Sequence, residues 1–172
     1  MQNKDFVLFR ATLKSLQNYI QSCNNKMGGR NHMLKGIGHI ALSSTNMEKT
    51  LDFYINKVGL KEHFKLYKED GSLWLQYLWI APGEYLEIYP VDKIDLTNDL
   101  NASLYRHMSI TVDNMEKAYA ELSARGVIFK GPPTKGKCGA IQAWTSDPDG
   151  NPIEFMELTS ECMQMQNERN HK

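Results

Sequence analysis

Two hydrophobic periods alternate along this chain, and their order of succession occurs twice. From residue 39 the pattern has a period of two, with Ile40 and Leu42 on one side of an extended segment and His39 and Ala41 on the other, as a half-buried strand requires. The period then lengthens. Met47, Leu51 and Tyr54 recur at helical spacing behind Asn46, whose side chain is suited to accept a bond from a free amide of the first turn. Gly59 predicts the end of that helix. Three strand-like runs follow, Glu62 to Lys68, Leu73 to Ile80 and Glu84 to Tyr89, with Asp70-Gly71 as the turn between the first two.

The same succession returns downstream. Gly38-His39-Ile40-Ala41-Leu42 leads into Asn46-Met47-Glu48-Lys49, and Arg106-His107-Met108-Ser109-Ile110 leads into Asn114-Met115-Glu116-Lys117, at a constant offset of 68 residues (39 to 107, 46 to 114). Met115, Tyr119 and Leu122 mark the second helix, and Gly126 its end. Strands are predicted at Val127 to Lys130, Ala140 to Thr145 and Pro152 to Leu158, the last two separated by the turn sequence Asp147-Pro148-Asp149-Gly150. Leu75-Gln76 matches Ile141-Gln142, so the two glutamines are read as equivalent, either lining a cavity or bonding a sheet edge. The expected fold is therefore α+β, two tandem βαβββ modules over 33–98 and 99–160 that together form one domain, 33–160. An amphipathic helical arm over 1–32, striped by Phe6, Phe9, Leu13, Leu16 and Ile20, precedes them, and a polar tail over 161–172 follows. Met33 is a natural start, so the arm is also read as a candidate start-site artefact.

Alternation decides which side chains share a face. The apolar residues of each first strand must turn toward the helix, which leaves His39 and His107 on the other side. In each last strand Leu86 and Ile88, or Ile153 and Phe155, take the helix side, and Glu87 and Glu154 are left opposite. The two histidine-to-glutamate separations are 48 and 47 residues (39 to 87, 107 to 154), an agreement that a solvated His or a core Glu has no reason to show. Two imidazoles and two carboxylates suit one divalent transition ion: zinc or nickel first, with cobalt, manganese or iron as further options.

Lys plus Arg and Asp plus Glu each total 20, so no net positive charge is available for nucleic acid. No run of about 20 apolar residues suits a membrane. Cys23, Cys138 and Cys162 are odd in number and lack CxxC spacing, which points to reduced thiols and a cytoplasmic protein. Trp74, Trp79 and Trp144 with Tyr77, Tyr85 and Tyr89 make the cavity region aromatic, a pattern that fits both an organic small-molecule substrate and sheet packing. His32, His63 and His171 have no counterpart in the other repeat and are read as surface residues, Cys138 as a non-catalytic thiol, and Lys135 to Gly139 as a lid or a solvated basic loop.

Gly38 to Leu42, Tyr85-Leu86-Glu87, His107 and Asp147 to Glu154 resemble the vicinal oxygen chelate superfamily, on its glyoxalase I and methylmalonyl-CoA epimerase side, over about Leu34 to Leu158. The resemblance implies one metal ligand from the first and last strand of each module, which falls on His39, Glu87, His107 and Glu154. It also implies a lyase or isomerase of the lactoylglutathione lyase type. In such an enzyme Glu154 removes a proton beside a carbonyl of a small α-oxo compound or its thiol adduct, and Glu87 returns it to the adjacent carbon. An epimerase acting beside a carbonyl and a non-catalytic drug-binding module are the alternatives, an iron-dependent ring-cleaving dioxygenase a more distant one. Whether the modules of one site come from one chain or from an exchanged homodimer is left open.

Overall fold

The computed structural model describes residues 36–94 and 105–168. Ile37–Gln166 form one compact unit. Met1–Gly36 and Asn167–Lys172 form a second, of which only 36, 167 and 168 are described. The predicted arm therefore lies outside the described residues.

The first module runs β1 (His39–Ser44), α1 (Met47–Leu51) continued by a π-helical stretch (Asp52–Val58), β2 (Lys61–Tyr67), β3 (Leu73–Ala81) and β4 (Glu84–Pro90). The second runs β5 (Met108–Thr111), α2 (Met115–Ala124), β6 (Thr134–Lys135), β7 (Ile141–Ser146) and β8 (Pro152–Glu157), followed by a short helix, α3 (Met163–Glu168). Each module is a four-stranded mixed sheet, in the order β1-β4-β3-β2 and β5-β8-β7-β6. The first and last strands pair in parallel in both, which sets each histidine beside the glutamate-bearing strand.

Local chemistry explains the shared outline. Asn46 and Asn114 cap their helices, accepting from the amides of Lys49 at 3.0 Å and Lys117 at 2.9 Å. Gly59 and Gly126 follow the helices with φ of 96° and 89°, a conformation that a side chain disfavours. Leu42, Leu78, Leu86, Ile88, Met115, Leu122, Ile153 and Phe155 form one core between sheets and helices. Full burial stabilises such a side chain by about 1.5–3 kcal/mol.

Three predicted features differ. Val127 to Lys130 is not a strand, because Gly131-Pro132-Pro133 interrupts pairing and the prolines have no amide to donate, so the outer strand β6 forms only after them. Its alternating pattern has another cause: Val127 is buried, Ile128 exposed, and Phe129 packs between Tyr119 and Phe155. The first helix widens after Leu51, the amides of Gly59 and Leu60 both reaching the Tyr54 carbonyl, and this turn places the adjacent Phe53 and Tyr54 in the core together. Gln76 and Gln142, read as equivalent, are on opposite faces. Gln76 pairs with Ile88 on the helix side and is buried, whereas Gln142 pairs with Met156 on the face of Glu154. A one-residue slip reverses the face of every side chain. The register makes Tyr77, opposite Glu87, the true counterpart of Trp144, opposite Glu154.

The modules are tied by the turn 147–150. Asp147 accepts bonds from the Asp149 and Asn151 amides, from the Asn151 side chain and, at 3.0 Å, from the Tyr54 hydroxyl of the first module. Asp149 accepts from the amide and hydroxyl of Thr45 and from the Thr50 hydroxyl. Burial pushes the Asp147 carboxyl up despite those bonds, whereas the bonds from Thr45 and Thr50 outweigh burial at Asp149 and hold its carboxyl below the usual range.

Candidate metal centre

In the first module β1 and β4 are in parallel register, with His39 opposite Tyr85 and Ala41 opposite Glu87. The histidine and glutamate are thus on one face, two positions apart, and the imidazole Nε2 is 3.3 Å from the Glu87 carboxylate. In the second module Ser109 is opposite Glu154, and His107, two positions earlier, brings its Nε2 to 3.5 Å from the Glu154 carboxylate. Ile40, Leu42 and Met108 point to the core, so both pairs occupy the sheet faces turned away from the helices.

The two glutamates are only 6% and 4% exposed, while both imidazoles are partly open to solvent. A buried carboxylate requires a compensating partner. Two donors at about 2.1 Å from one ion stand roughly 3.0 Å apart at a right angle and roughly 3.4 Å apart at the tetrahedral angle. The spacing of each pair and its N/O chemistry therefore fit one half of a divalent-ion site. Among the described residues, however, no three His, Cys, Asp or Glu side chains stand close enough to share an ion, so the two His/Glu pairs remain apart within one chain.

Their surroundings differ. The Tyr89 hydroxyl donates to Glu87 at 3.3 Å, and hydrogen bonding to Glu87 pushes the Tyr77 phenol up to about 12. Alternation along β4 places Tyr89 on the face of Glu87, whereas only the β3–β4 register brings Tyr77 opposite it. Trp144 sits edge-on to His107 at 4.9 Å, and no hydroxyl holds Glu154 in this way among the described residues. His63, read as a plain surface residue, is the extra residue of a bulge between Glu62 and Phe64 and stacks on Tyr85 at 5.1 Å. Lys135 is ion-paired to Glu161 at 2.9 Å, and Cys138 and Cys162 are free thiols. A cleft of about 550 Å³ opens beside His39 and Tyr85, walled by Ile40, Leu60, Met108 and Ile110. No helix among the described residues is long and apolar enough to cross a membrane.

Comparison with known proteins agrees with this fold. The chain is 28% identical over 126 residues to the uncharacterized protein YwkD of Bacillus subtilis (strain 168), a match covering 73% of this chain and 98% of that protein. It is 29% identical over 130 residues to a lactoylglutathione lyase of Neisseria meningitidis (serogroup A, strain DSM 15465 / Z2491), covering 71% and 90% respectively. Among solved structures, a glyoxalase family protein from Enterococcus faecalis superposes with a TM-score of 0.64 at 26% identity, over 73% of this chain and all of that one. Residues 36–155 match the family profile, and the chain belongs to the Glyoxalase/Bleomycin resistance protein/Dioxygenase superfamily.

Proposed function

We propose that the protein is a metal-dependent lyase or isomerase of the glyoxalase I type, moving a proton between adjacent carbons of a small α-oxo compound or its thiol adduct. The observation that carries this reading is the pair of equivalent His/Glu half-sites, His39 with Glu87 and His107 with Glu154, each on an open sheet face with a buried carboxylate. Together these four side chains would hold one divalent ion, zinc or nickel in the first instance. When bound, such an ion supplies Lewis-acid stabilisation of the oxygen charge that develops as a neighbouring C–H proton leaves.

The protein's own groups divide the remaining work. Glu154, anchored by no hydroxyl among the described residues, takes the proton. Glu87, held by Tyr77 and Tyr89, returns it to the next carbon from the opposite side of the substrate. Because the two half-sites stand apart in one chain, a homodimer completes each site, with His39 and Glu87 of one copy meeting His107 and Glu154 of a second copy.

The test is metal analysis of the purified protein, followed by turnover of methylglyoxal with several thiols in deuterated water. The reading expects about one ion per chain, product formation, and deuterium in the product or a measured internal transfer. Full turnover by Glu154→Gln would overturn it. Deuterium exchange at one carbon with no change of oxidation level would instead identify an epimerase.

A further inference from the structure

The sheet face that carries His39 and Glu87 also carries a continuous surface of rings. Phe64 on β2 stacks on Tyr77 of β3, with centroids 4.3 Å apart and planes inclined by 23°. Tyr77 meets His39 edge-on at 5.9 Å and Tyr85 at 6.1 Å. His63 stacks on Tyr85 at 5.1 Å and 21°, and touches Phe64 at 5.1 Å. Register explains the grouping: Phe64 is directly opposite Tyr77, Tyr77 directly opposite Glu87, and the bulge at His63 turns that imidazole toward Tyr85 rather than away.

Among the described residues this surface has no equivalent in the second module. There the face of Glu154 carries Gln142, Trp144 and Met156, and among the described residues His107 with Trp144 is its single ring contact. Phe64 is also 43% exposed, on a strand whose seven residues are all exposed. An open phenyl ring two contacts away from a candidate metal ligand is uncompensated by the fold. It gains by stacking on a flat partner.

We propose that Phe64, Tyr77, Tyr85 and His63 form the subsite for a planar aromatic or conjugated substituent of the substrate, with Phe64 determining the preference. The proposal rests on the function put forward above, in that the substituent hangs from an α-oxo group whose oxygens reach the His39 and Glu87 side. A flexible alkyl group would cover the same carbon area but would not match the ring faces, whereas a planar group stacks on them.

The test compares two α-oxo acids that differ only in this substituent, phenylglyoxylate and pyruvate, by calorimetry on the zinc-loaded and the metal-free full chain. The wild-type protein should bind phenylglyoxylate about tenfold more tightly than pyruvate. Phe64→Ala should reduce that ratio to about threefold or less, and so should Phe64→Leu, which keeps the side chain apolar but removes the ring. Trp74→Ala, an exposed ring on β3 that takes part in none of these ring contacts, should leave the ratio unchanged. Equal affinities in the wild type, or a ratio that survives Phe64→Leu, would overturn the subsite. Turnover of the thiol adducts of phenylglyoxal and methylglyoxal separates the two readings. No turnover with a Phe64-dependent binding ratio defeats the enzyme but keeps the subsite, and turnover with no such ratio does the opposite.

Discussion

The two modules share an outline but not an environment. Both place a histidine two positions from a glutamate across a parallel strand pair, both cap their helices with an asparagine, and both follow them with a left-handed glycine. Around that frame the first module has long outer strands, an aromatic face and two tyrosines on its glutamate. The second has a two-residue outer strand, a glutamate with a single tryptophan-backed histidine, and the turn that grips its neighbour. A duplicated scaffold thus fixes where the histidine and glutamate stand, while the faces around them remain free to differ. In the proposed reading the first half holds and recognises the substrate, while the second takes the proton and supplies the turn that fastens the modules.

The strongest way to break this comparison is to neutralise each glutamate. Glu154→Gln removes the proposed base and should lower kcat by about 10²–10⁴-fold, the usual contribution of general base catalysis. If Glu87→Gln lowers kcat equally while Glu154→Gln only weakens metal binding, the assigned roles are reversed. The half-sites themselves are tested by pairing variants. His39→Ala and His107→Ala should each be inactive, but co-refolded they should recover about a quarter of wild-type activity and metal content, because half of randomly formed dimers carry one intact site. No recovery would place both halves of a site in one chain.

What the sequence revealed and what it concealed follow one physical rule. The pairing of His39 with Glu87 and of His107 with Glu154 on the faces away from the helices was legible because strand alternation and the repeat are local patterns, as were the caps Asn46 and Asn114 and the stops Gly59 and Gly126. Matching Gln76 to Gln142 implies spans of 11 and 12 residues to the glutamates (76 to 87, 142 to 154), whereas the paired residues Tyr77 and Trp144 both stand 10 residues before them (77 to 87, 144 to 154), and period-two structure turns that one-residue error into the opposite face. Val127 to Phe129 has the alternation of a strand but uses it to plug a helix against a sheet. The separation of the two half-sites was hidden for a different reason. It depends on how one module docks on the other, through Asp147, Asp149 and Tyr54, and no periodicity within a module encodes that.

The docking turn supplies the next prediction, on stability. Tyr54→Phe removes one of the two bonds to the buried Asp147 Oδ2, leaving only that from the Asn151 side chain, and should cost about 1–3 kcal/mol, read as a lower denaturation midpoint with an unchanged slope. Asp149 has a carboxyl held below its usual range, so the stability it contributes is complete above the ordinary carboxylate titration range. That contribution is lost as pH falls through its folded-state value. Asp147, pushed up by burial, has the opposite sign: its charged form weighs against folding at neutral pH and the cost disappears on acidification. Asp149→Asn should therefore lower the thermal midpoint at neutral pH and flatten its decline in acid, and Asp147→Asn should not flatten it. A steeper decline in Asp149→Asn would show that the Thr45 and Thr50 bonds do not govern the clasp.

The smallest effect sharpens the comparison where the modules look most alike. Asn46→Ala and Asn114→Ala each delete one side-chain bond at a helix start, a loss usually worth about 1 kcal/mol. Each cap has a different support. The Asn46 amide donates to Ser44 Oγ at 3.2 Å, and Ser44 is linked through Thr50 to Asp149 of the other module. The Met115 amide, directly after Asn114, donates to the Glu157 carboxylate at 2.7 Å, an anion placed at the positive end of α2 by the last strand of its own sheet. If these supports act independently, Asn46→Ala should cost more in an Asp149→Asn background than in the wild type, while Asn114→Ala should cost the same in both. A double-mutant cycle that finds both couplings equal would mean that the clasp stiffens the whole unit rather than one helix start.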